Sequence, residues 1–157
     1  MLLIIKKAKA VKALALGAFF TTLLSFSTKM GGEGFEIYLN SKLVLQQYGN
    51  QMNTVKSLQL DQKSYDAKLT IKYHHCGKVG KDRTITIKDG QKKVLKQWHF
   101  TNTADATNTM TCKVKDILEL QKKNGSTTIN LYYSSSELPK GRLLTSITKE
   151  NTNTVKL

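Results

Sequence analysis

The chain has 157 residues, with 25 Lys plus Arg against 11 Asp plus Glu, one Pro, two Cys and 39% hydrophobic residues. That length suits one domain and argues against a multidomain protein, while the patterned apolar and aromatic runs argue against a disordered chain. The positive charge sits on lysines placed singly or in pairs, with only two arginines, Arg83 and Arg142. A nucleic-acid protein would concentrate Lys and Arg on one element among stacking aromatics, so no specific nucleic-acid partner is expected.

Residues 1–27 read as a cleaved secretory signal peptide. Lys6, Lys7, Lys9 and Lys12 form a basic start, and the uncharged run from Ala13 to Phe26 follows, ending in the small residues Ser25 and Ser27 around Phe26. A membrane-spanning helix needs about 20 apolar residues, so this shorter run predicts export, to the periplasm or outside the cell, and no transmembrane span after cleavage. With the four leader lysines removed, the mature chain has 130 residues and a formal charge of +10. Residues 28–34 (TKMGGEG) read as a flexible lead-in, and residues 35–157 as a single β-sandwich domain.

Phe35–Leu39 alternates, Asn40-Ser41 interrupts, and Lys42–Gln47 resumes, which predicts a tight β-hairpin. Val55–Leu60 carries a weaker strand signal. From Ala67 to Thr101, the runs LTIKYHH, TITIK and VLKQWHF predict a three-stranded antiparallel meander with Leu69, Ile71, Tyr73, Ile85, Ile87, Trp98 and Phe100 toward the core. Residues 113–123 suit either a helix or a strand. The non-alternating set Val114, Ile117, Leu118 and Gln121, followed by Asn124-Gly125, favours a short helix. A strand through Tyr133, a turn at Glu137–Gly141 and a last strand from Arg142 close the chain. Seven or eight short strands with one helix predict a mainly-β fold, an antiparallel β-sandwich or small barrel.

Two cysteines in an exported chain predict a Cys76–Cys112 disulfide, although strict alternation puts Cys76 with His74 on a polar face and Cys112 with Met110 on a buried one. His74, His75 and His99 are the candidate metal ligands. Adjacent residues on a strand point to opposite faces, so at most one of the first two can join His99 as the start of a zinc or copper site. Tyr73 and Trp98 are candidate ligand-stacking aromatics. The chain has no Gly-x-Ser-x-Gly elbow, His-Glu-x-x-His or Gly-rich phosphate loop, so no catalytic residues and no cofactor are assigned.

The stretches YHHCGKVGKDRTITIKDGQKKVLKQWHF (73–100) and ELPKGRLLTSI (137–147) resemble uncharacterised small exported proteins of Bacteroidota-type bacteria. The resemblance covers most of the mature chain and implies an exported, Gram-negative setting; it carries over no site residues. The expected function is a non-catalytic secreted or periplasmic binding or structural module, with a metal-binding envelope protein as the alternative. The charge predicts anionic envelope surfaces or polysaccharide as partner, attracted over long range and screened by salt.

Overall fold

The computed structural model describes residues 32–101 and 109–149. The leader expected at residues 1–27 therefore lies outside the described residues, as do most of the Thr/Asn-rich stretch after Thr101 and the end of the chain. The described residues form nine strands, β1 (Gly34–Leu39), β2 (Lys42–Tyr48), β3 (Lys56–Leu60), β4 (Lys68–His74), β5 (Arg83–Lys88), β6 (Val94–Phe100), β7 (Thr109–Lys113), β8 (Thr128–Ser135) and β9 (Leu138–Lys149), with one α-helix, α1 (Val114–Lys123), between β7 and β8. Among the described residues no helix is long and apolar enough to cross a membrane.

The strands form two sheets, one of four strands in the order β2-β1-β4-β7 and one of five in the order β3-β9-β8-β5-β6. This is the expected mainly-β, sandwich-like fold, and among the described residues no barrel closes. Strand alternation explains the core. Phe35, Ile37, Leu69, Ile71, Tyr73, Met110 and Cys112 are buried from the four-stranded sheet; Leu58, Leu60, Ile85, Ile87, Ile129, Leu131, Tyr133 and Ile147 are buried from the five-stranded one. Trp98 and Phe100, on the edge strand β6, are half-buried against this core.

The β1–β2 hairpin forms as its sequence predicts, because Asn40 and Ser41 both take positive φ (46° and 70°), the pair of left-handed positions that matches strand twist in a two-residue turn. The helix also forms, with Val114, Ile117 and Gln121 buried and Lys122 and Lys123 in its last turn, where positive charge complements the helix dipole.

Four expectations are corrected. The run 67–101 is not one meander, since β4 pairs with β1 and β7 while β5 pairs with β6 and β8. Between them Cys76, Gly77 and Asp82 adopt positive φ (47°, 85° and 50°), and these turns carry the chain from one sheet to the other. The turn into β9 is Ser136-Glu137, not Glu137–Gly141. Pro139 lies inside β9, in an irregular stretch of the pairing with β8, and β3 reaches β9 only from Thr145 onward, so a residue without an N–H is tolerated there. The strand at Lys56–Leu60 runs parallel to β9, in a sheet expected to be wholly antiparallel. Finally, Glu33 and Gly34, assigned to a flexible lead-in, are held: Gly34 begins β1 opposite Tyr48 and His74, and Glu33 is tied to Tyr73 and Arg142.

Candidate functional site

The expected disulfide does not form. Both cysteines are free, Cys76 exposed and Cys112 buried. Register gives the reason. Cys112 lies opposite Leu69 near the start of β4, and Cys76 lies beyond the other end of that strand. From Leu69 to His74 alone the chain advances about 17 Å at about 3.3 Å per residue, whereas a disulfide needs Cα atoms within about 7 Å. Burial, together with the nearby Asp116 carboxylate, pushes the Cys112 thiol up to about 12.

The three histidines point to three different places. His74 lies on the outer face of the four-stranded sheet, with Nε2 3.9 Å from Glu36 Oε1. His75 turns into the end of the sandwich, where Nε2 is 2.9 Å from the Tyr133 hydroxyl and 3.2 Å from Ser135 Oγ. His99 lies on the outer face of the five-stranded sheet, with Nδ1 3.0 Å from Thr84 Oγ1. The two-ligand start that His99 was expected to share with His74 or His75 is therefore not assembled, and among the described residues no three of His, Cys, Asp and Glu gather as a metal-ligating group. Of the two stacking candidates, Tyr73 is corrected, whereas Trp98 is only half-buried. Tyr73 is 0% exposed, with its ring against Tyr133, and the Lys96 ammonium lies 4.9 Å from the centroid of the Trp98 ring.

Around His75 the structure builds a polar end to the sandwich. Alternation along β5 turns Arg83 to the same side as the buried Ile85 and Ile87, and pairing with Tyr133 turns Arg142 the same way. Both arginines of the chain thus face inward at the end where β4 and β8 finish. Tyr73 from one sheet stacks on Tyr133 from the other, centroids 4.1 Å apart and planes 12° apart. The Tyr73 hydroxyl donates to Glu33 Oε1 at 2.5 Å, and Arg142 donates to Glu33 Oε2 at 3.1 Å. Burial raises the pKa of both tyrosines, and for Tyr73 the Glu33 carboxylate adds to it. Neutral hydroxyls donate well, which suits this bracing role. The backbone at Gly80 closes over the cluster, so near that an added Cβ would lie 2.4 Å from the Tyr133 oxygen and 2.8 Å from His75 Nε2. Ser135 beside His75 has the composition of a nucleophile and base. However, Ser135 is buried, its oxygen also accepts from the Leu138 N–H, and Tyr133 competes for the same histidine nitrogen. This geometry braces the two sheets.

The outer faces of the sheets differ in charge. On the four-stranded sheet Lys68, Lys72 and Lys113 share the outer face, as the pairings of Lys68 with Lys113 and of Lys72 with Glu36 require. Glu36 accepts from the hydroxyls of Tyr38, at 2.6 Å, and of Tyr48. Partial burial raises the Glu36 pKa, but these hydrogen bonds, with His74 and Lys72 beside it, outweigh burial and hold the carboxyl below its usual range. On the five-stranded sheet, register places Ser57 and Gln59, Ser146 and Thr148, Asn130 and Tyr132, Thr84 and Thr86, and Gln97 and His99 on one outer face, from β3 across to β6. Lys88 is the lysine among them, its ammonium 4.5 Å from the centroid of the Tyr132 ring. Hydroxyls and amides on this face bond to one another, Ser146 to Asn130 at 2.8 Å and Gln97 to Thr86 at 3.2 Å.

Sequence reasoning missed Glu33, Arg83, Tyr133, Ser135 and Arg142 as a group. Alternation through Arg83, Ile85 and Ile87 carried a signal, since it turns an arginine inward. Comparison with known protein families, with curated proteins and with solved structures found no match.

Proposed function

We propose that the protein is an exported, non-catalytic binding module of the cell envelope whose ligand is a polysaccharide, met by the outer face of the five-stranded sheet. One observation carries this reading: in a lysine-rich chain, that face presents hydroxyl and amide side chains from β3, β9, β8 and β6, with Lys88 alone among lysines, while Thr84 and Thr86 of β5 lie buried between their neighbours. Strands spaced by about 4.8 Å make it about 19 Å wide. Donors and acceptors on such a platform match a polyhydroxylated chain without a deep pocket. The lysines of the opposite face supply long-range attraction to anionic groups, which salt screens. Export rests on the leader and on the resemblance to small exported proteins.

The test is retention of the mature protein in gels containing neutral or acidic polysaccharide, at low and high salt. Retention that survives high salt and is lost in Asn130→Lys and Tyr132→Ala supports the reading. Retention that disappears with salt, or is lost only when Lys68, Lys72 and Lys113 are changed to Glu, replaces it with charge attraction through the other face. No retention on any polysaccharide overturns it. For export, mass spectrometry of the envelope fraction should find a mature N-terminus near Thr28, and an intact Met1 in the cytosol would count against it.

A further inference from the structure

At the end of the fold away from His75, a cleft of about 330 Å³ lies between the end of β3, the last turns of α1 and the end of β9, with Leu60, Leu118, Gln121, Lys122 and Lys149 in its wall. Clefts from about 300 Å³ upward hold small molecules when an apolar lining is combined with a few placed polar groups. Gln121 is such a group. It is 3% exposed, and its side-chain N–H groups donate to the carbonyls of Thr127, at 2.8 Å, and Ile147, at 3.4 Å. These two acceptors fix the amide, because reversing it would set oxygen against oxygen. The Oε1 atom is left buried, with no hydrogen-bond partner among the described residues. A buried acceptor in that state favours any occupant able to donate to it.

We propose that this cleft is a second binding site, for a small apolar molecule bearing one hydroxyl or N–H donor. The apolar body packs on Leu60 and Leu118, and the donor meets Gln121 Oε1. Asp61 also lines the cleft, but its Oδ1 already accepts from the Ser64 N–H. Lys122 and Lys149 outnumber it, so a cationic molecule is disfavoured. The site is independent of the polysaccharide face, and neither reading requires the other.

The probes are p-cresol and 4-methylanisole, which share an apolar ring and differ in whether the oxygen can donate. Titrated into the full mature chain and followed by NMR, p-cresol should give saturable shifts of the Gln121 side-chain amide and of the Leu60 and Leu118 methyls. The ether should bind about tenfold more weakly, the order expected when a buried acceptor is left without a donor. Gln121→Leu should erase that preference. Because it also removes the donors to Thr127 and Ile147, a second variant, Leu118→Lys, places a long charged chain in the wall and should abolish the p-cresol shifts. Equal binding of the two probes, no saturable shift, or unchanged p-cresol affinity in Leu118→Lys overturns the proposal.

Discussion

Tyr73 and Tyr133 stack face to face across the sandwich, one from each sheet, with ring centroids 4.1 Å apart. Each is fully buried, and each hydroxyl is drawn to a different partner, Tyr73 to Glu33 and Tyr133 to His75. A single pair of rings therefore joins two strands that are not neighbours in either sheet to the chain entering β1 and to the β4–β5 turn.

Truncating either ring removes a large buried volume that the opposite sheet cannot refill. Tyr73→Ala and Tyr133→Ala should each cost about 3–5 kcal/mol, measured by urea unfolding. Tyr133→Phe keeps the stack and loses the hydrogen bond to His75, so it should cost about 1 kcal/mol. The double alanine variant should cost less than the two single variants added together, because the first truncation already breaks the stack. Strict additivity would show that the rings do not act as a pair.

The two cysteines should behave as separate thiols. In the native protein a thiol reagent should modify one residue quickly, Cys76, which is exposed. Cys112 is 2% exposed, with its thiol pushed up to about 12, and should react only when the protein unfolds. Mass spectrometry of labelled protein should read one adduct before denaturation and two after. A chain that takes up no label even in denaturant would mean that a bond joins the cysteines and that β4 and β7 do not pair as described.

Glu36 links stability to acid. Its folded pKa lies below the ordinary 4.5, so the unfolded chain takes up the proton first as pH drops. The carboxylate therefore contributes stability that is complete above about pH 4.5 and is lost as pH falls through the lower folded value. Glu36→Gln removes this titration. Between about pH 5 and the acid limit of the native state, the wild type should lose stability more steeply than the variant. Parallel curves would mean that Tyr38 and Tyr48 do not favour the charged form.

Local features of this chain were legible in its sequence, and their distant partners were not. Asn40-Ser41 announces a hairpin because two consecutive positive-φ positions are a local demand, and Val114, Ile117 and Gln121 announce a helix because helical spacing is local too. The alternation of Leu69, Ile71 and Tyr73 marks a strand with one buried face, but the same alternation suits either sheet. It could not show that β4 would join β1 and β7 while β5 joined β8. The parallel pairing of β3 with β9 is a tertiary fact of the same kind. For the site, export and two cysteines argued for a disulfide, yet parity had already put Cys76 and Cys112 on different faces, and the β4–β7 register separates them. His74 and His75 are adjacent and so point to opposite sides, and the turns from Cys76 to Asp82 carry the chain on to the other sheet, where His99 lies.

Gly80 offers the sharpest check on the polar end. It sits over the His75–Tyr133 hydrogen bond without needing positive φ, so alanine there introduces no backbone strain and tests space alone. The added Cβ would come within 2.4 Å of the Tyr133 oxygen, which is fixed by the stack on Tyr73 and cannot swing aside. Gly80→Ala should therefore cost about 1–3 kcal/mol, the range for overpacking a tight interior. Removing the hydroxyl should relieve the clash, so Gly80→Ala in a Tyr133→Phe background should cost measurably less than in the wild type. The His75 contact at 2.8 Å leaves a remainder, because a ring held at the strand end yields less readily than a free side chain. If Gly80→Ala costs the same in both backgrounds, the loop does not rest on Tyr133 and the closed end must be described differently.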